Sequence, residues 1–131
     1  MNRDWMGNDK ALDAVAAGCA LLGSVDGADA AGVGGRFRTL LDGADLPDQS
    51  LTEAASAFDR HSGRIRDNQD IGEEEAIAAL RAVKGDADLA RQTAEACLQL
   101  AREGDELAPA QSHMARRLCE SLNLSPTQFG L

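Results

Sequence analysis

No tyrosine occurs in this 131-residue chain, which holds only one Trp, three Phe and three Pro. Aromatic residues make up 3% of it, too few of the large flat side chains on which β-sandwiches build their cores. No apolar run approaches the roughly 20 residues of a membrane-spanning helix, so direct membrane insertion is not expected. The start, Met1-Asn2-Arg3-Asp4-Trp5, lacks the basic-then-apolar layout of a secretory signal. Cys19, Cys97 and Cys119 are odd in number and show no CxxC spacing, which argues against a disulfide framework or a zinc site. A reduced, cytoplasmic setting fits them. HExxH and GxSxG are absent, and His61 and His113 stand alone, which suits surface or helix-end positions. Positive charge is also scarce. Thirteen Lys and Arg against 22 Asp and Glu leave a net charge of −9, which disfavours nucleic acid and anionic membrane as ligands.

What the chain does have is helix-forming sequence. Hydrophobic residues reach 44%, rich in Ala and Leu, enough for one folded domain over residues 10–131 after a short tail at 1–9. Trp5 is expected to cover one end of the core. Asp9 can cap a helix over about 10–24, with Leu12, Val15, Ala16, Cys19 and Leu22 at helical spacing. A second is expected over about 30–41, starting late or fraying because Gly32, Gly34 and Gly35 each cost roughly 1 kcal/mol relative to Ala. Ser50 and Glu53 have capping-box spacing for a third helix over 51–61, and the polar stretch 62–69 reads as a loop. A fourth is expected over 72–84, with Gly85 ending it. Asp86 or Asp88 opens a fifth reaching Arg102, and Pro109 a sixth reaching Ser121. Ser125-Pro126 begins a last turn whose Phe129 packs back on the core. The fold class is all-α, a compact bundle of about six or seven helices.

One phrase occurs twice. Ala14 to Leu22 is an uncharged helix that stops at Ser24-Val25-Asp26-Gly27, and Thr93 to Leu100 stops at Glu103-Gly104-Asp105. Cys19 precedes Asp26 by seven residues, as Cys97 precedes Gly104. Two helical hairpins with facing acidic turns follow, and oxygen donors on such turns suit a hard cation such as calcium. Asp26 and Asp29 can equally be helix-capping and turn residues. In the acidic cluster from Asp70 to Glu75, carboxylates at a helix start also favour the positive end of the dipole, by roughly 0.3–1 kcal/mol each. An EF-hand loop is absent. Gly32-Val33-Gly34-Gly35 lacks the preceding strand and following Lys of a phosphate loop. The thiols sit on apolar faces, as small hydrophobes. Arg60, Arg64 and Arg66 form a basic spot beside the acidic middle loop. No nucleophile–base pair occurs by motif, so no enzymatic activity is expected.

Taken in order, Ala14 to Leu22 with Asp26-Gly27, Asp70-Ile71-Gly72 with Glu75, and Leu124-Ser125-Pro126-Thr127-Gln128-Phe129-Gly130-Leu131 resemble the TerB-like family of tellurite-resistance proteins. The resemblance spans about residues 11–131. It implies internal pseudo-twofold symmetry and an acidic metal-binding region, calcium being the usual suggestion. It also implies a non-enzymatic cytoplasmic role in tellurite resistance and stress response, with other tellurite-resistance proteins, one of them membrane-embedded, as partners. The matching acids are Asp26, Asp70 and Glu75, with Asp29 and Asp105 as substitutes for missing ones. The chain departs from the family at Gly32 and Val33, and around Ala110 and Gln111, where further acids are expected. A metal-free helical adaptor is the alternative.

Overall fold

The computed structural model describes residues 4–25, 30–102 and 107–131. Among them the chain forms six α-helices, two 3-10 turns and no strand. The first helix, α1 (Asp9–Gly23), explains the architecture. From Ala11 to Gly23 every residue but Asp13 is buried, and a helix apolar on all sides must be surrounded. It is: α1 touches all five other helices. Ala14, Ala16, Ala17, Gly18 and Ala20 keep its girth small, so neighbours approach closely and a core forms with few aromatics. Asn8, rather than Asp9, caps α1, its side-chain oxygen accepting from the Ala11 amide at 3.1 Å. Ahead of it, the 3-10 turn Asp4–Gly7 packs against α1 and buries Trp5 completely.

Helix α2 (Ala30–Asp42) is helical from Ala30, where a late start was expected. Gly34 has a packing role that offsets its poor propensity: a methyl there would stand 2.7 Å from the Phe58 ring. Phe37 then meets Phe58 with centroids 6.1 Å apart.

The largest departure from expectation is α3 (Asp48–Asp67), which runs through the stretch read as a loop. His61 and Ile65 continue its buried face one turn apart, so residues 62–64 and 66–67 are the solvated side of a helix. The helix starts directly after Pro47, which places Ser50 and Glu53 inside it; the capping box does not form, and Glu53 accepts from Gln49 instead. Asn68 closes α3 and caps α4 (Gln69–Arg81), its side chain accepting from the Ile71 amide at 3.2 Å. Gly72, expected at the start of α4, lies within it against the Ile65 backbone, and the two helices cross there.

Asp86 caps α5 (Ala87–Ala101), and α6 (Pro109–Ser121) has the expected bounds. Asn123, at φ 61°, turns the chain out of α6 into the 3-10 turn Pro126–Phe129, and Phe129 packs against the core. No described helix is long and apolar enough to cross a membrane.

Candidate functional site

The two copies of the repeated phrase meet. Cys97 on α5 donates to the Val15 carbonyl of α1 at 3.6 Å, and its sulfur lies where a side chain on Gly18 would have to go. The last carbonyls of any helix lack intrahelical donors, and here each half supplies the other's. Arg36 of α2 donates through Nε to the Leu100 carbonyl near the end of α5, at 2.7 Å. Gln111 of α6 donates through Nε2 to the Leu22 carbonyl near the end of α1, at 3.1 Å. Leu22 follows Cys19 by three residues, as Leu100 follows Cys97, so the captured carbonyls hold equivalent places in the repeat.

Gln111, buried at the start of α6, makes a second bond: its Oε1 accepts from the Ala108 amide at 3.1 Å. One side chain thus joins the segment entering the first acidic turn to the segment leaving the second. Asp26, Asp29 and Asp105, the ligand candidates on those turns, lie outside the described residues. So do Glu103 and Glu106.

The other two candidates are on α4. Asp70 is exposed in its first turn, and Glu75 pairs with Arg64 of α3. Five residues apart on one helix, they project to different faces. Glu73 pairs with Arg117 of α6 at 2.8 Å. Partial burial opposes ionisation of Glu73, but hydrogen bonds from Arg117 and Gln69 hold its carboxyl below the ordinary value. Among the described residues no group of three His, Cys, Asp or Glu side chains is arranged to hold a metal ion.

The supposed basic spot is mostly neutralised. Arg64 serves Glu75, and Arg60 reaches Asp13 at 3.2 Å, leaving Arg66 exposed. Asp13 is where sequence reasoning missed a feature. His61, expected at the surface, is buried, and its Nε2 lies 3.1 Å from Asp13 Oδ1. The signal was present: Asp13 is the one charge between Ala11 and Gly23. A charge on a buried helix needs a partner. The hydrogen bond from His61 is the main reason the Asp13 carboxyl titrates below its ordinary 3.8; partial burial opposes it, and the charges of His61 and Arg60 add to it. Asp13 also borders a cavity of about 450 Å3 between α1 and α3, with Asp9, Glu53 and Arg60 on its walls.

A carboxylate with a depressed folded-state pKa adds stability that is complete above 3.8 and lost as pH falls through the lower value. Asp13→Ala is therefore expected to cost about 1–3 kcal/mol at neutral pH, because it leaves the buried imidazole without a partner. Urea melts at descending pH should show that difference shrinking through the acid range. A constant difference would mean Asp13 acts by packing alone.

All three thiols are buried and pack as small apolar groups. A hydrogen bond with Cys19, then burial, raises the Cys97 pKa well above its ordinary value. Burial, with the nearby Glu120 charge, pushes Cys119 up to about 11. Comparison with protein-family models, curated proteins and solved structures finds no significant match to this chain.

Proposed function

We propose that this chain is a non-enzymatic TerB-like protein of tellurite resistance and stress response, which binds a divalent cation, calcium by preference, at its paired acidic turns. It would act in the cytoplasm through contacts with other tellurite-resistance proteins, a membrane-embedded one among them. The observation that carries the reading is the Gln111 clamp, which ties Leu22 to Ala108. Leu22 lies four residues before Asp26 and Ala108 three residues after Asp105, so the clamp joins the described chain on either side of these acids. Calcium takes 6–8 oxygens, several charged when binding is tight. Those three carboxylates, with turn carbonyls and water, make a modest donor set. Asp70 is exposed and has no ion pair among the described residues, whereas Glu75 joins only by giving up Arg64.

Thermal melts in calcium and in chelator test this. At a calcium concentration 100 times the dissociation constant the protein should gain about 2.7 kcal/mol. Asp26→Asn combined with Asp105→Asn should abolish that gain while leaving the melt in chelator unchanged. Coincident curves for the native chain, with no calorimetric heat, would remove the ion from the proposal.

A metal-free adaptor is the second reading, and the place of Gln111 favours it. At a position where the family carries acid nearby, this chain has a neutral side chain committed at both ends to backbone. An unchanged melt together with retained binding to the partner proteins would decide for it.

A further inference from the structure

The ends of α4 and α6 converge on a cavity of about 410 Å3 lined by Arg81, Lys84, Arg117, Glu120, Ser121 and Asn123. In a chain of net charge −9, three cations share this hollow. Arg117 has a carboxylate partner, Glu73. Arg81 and Lys84 have none among the described residues, although Glu120 stands on the same wall. The helix dipole favours a cation in the last turn of α4, which accounts for Arg81 but not for the convergence of three cations on one hollow. With Arg117 held by Glu73 and Glu120 on the wall, the hollow still carries a net positive charge, which an entering anion would offset.

We infer that this cavity is a binding site for inorganic hydrogen phosphate, held by Arg81, Lys84 and Arg117 with Glu120 as the acceptor of its proton. A planar carboxylate is satisfied by one guanidinium fork, whereas a tetrahedral oxyanion offers oxygens to several donors approaching from different sides. The Asn123 side-chain amide adds a neutral donor. Glu120 sets the selectivity. An ionised carboxylate only accepts hydrogen bonds, so it tolerates an oxyanion that still carries a proton and repels one that does not. Hydrogen phosphate has that proton at neutral pH; sulfate has none. The site is independent of the acidic turns.

Amide chemical shifts of the full chain, titrated at constant ionic strength with sodium phosphate, phosphoserine or sodium sulfate, test the assignment. Phosphate should give saturable shifts confined to the ends of α4 and α6. Sulfate should bind about tenfold or more weakly, because the Glu120 carboxylate then faces an anion with no proton to donate. So should phosphoserine, whose second phosphate pKa of about 6 leaves it without that proton at neutral pH. Arg81→Ala with Lys84→Ala should remove saturation, Glu120→Gln should bring sulfate level with phosphate, and Arg66→Ala should change nothing. Shifts that never saturate, that persist in the double variant, or that are equally strong with sulfate in the native chain would overturn the assignment.

Discussion

Gly72→Ala is expected to destabilise the protein by about 3 kcal/mol, although intrinsic helix propensity favours alanine there by about 1 kcal/mol. The sign is decided by what surrounds Gly72 inside α4. A methyl would overlap the Ile65 amide nitrogen and Cα and the Arg64 carbonyl carbon, all backbone atoms of α3. Backbone cannot rotate away as a side-chain tip can, so α3 and α4 would have to separate at their crossing. That separation loosens Ile65 and Ile77, both in the core. Gly35→Ala is the matched control. It too lies within a helix, but nothing comes within 4 Å of the added methyl, so there propensity should win and the variant gain up to about 1 kcal/mol. Chemical denaturation of the two variants beside the native chain reads both signs. A stabilised Gly72→Ala would mean the helices do not cross where described.

The same glycine shows why some of the fold was readable and some was not. Local signals worked where they were strong. Pro109 opens α6 and Asp86 caps α5 as their residue types require, and the all-α class follows from composition. They failed where tertiary contact outweighs local preference. Gly32, Gly34 and Gly35 predicted a frayed α2, but Gly34 is the small residue that lets Phe58 approach. Residues 62–69 read as a loop because seven of the eight are polar or Gly; the single anchor Ile65 and the buried His61 hold about two turns of polar surface in helix. Of the candidate site, the repeated phrase is legible in the sequence, while the facing of its two acidic turns lies outside the described residues. The Gln111 and Arg36 links were not, since a hydrogen bond between residues 89 or 64 positions apart leaves no local trace. In the sequence Gln111 reads only as standing near a missing acid. In the fold it is a brace.

That brace and the Asp13–His61 pair share a logic. The central helix is apolar enough to be enclosed, yet its final carbonyls and the Asp13 carboxylate still need polar partners. Side chains from α6 and α3 supply them. Polar atoms on α1 are thus where outer helices gain specific rather than merely hydrophobic attachment.

Trp5→Ala should bring the largest loss, about 3–5 kcal/mol, a substantial share of the 5–15 kcal/mol by which domains are ordinarily stable. Trp5 is the only Trp, is fully buried, and sits in the 3-10 turn wedged against α1 and α5. Truncation removes on the order of 200 Å2 of buried surface and opens a void that neighbouring small residues, chiefly alanines along α1, cannot fill. Trp5→Phe separates packing from polarity. The Trp5 indole nitrogen is buried without a hydrogen-bond partner among the described residues, so phenylalanine gives up volume but also removes an unsatisfied donor. Its cost should be less than half that of alanine. Urea unfolding followed by circular dichroism, the fluorophore being gone in both variants, gives the two values. A loss below about 1 kcal/mol for Trp5→Ala would place it among ordinary surface changes, and the first turn would then be no part of the core.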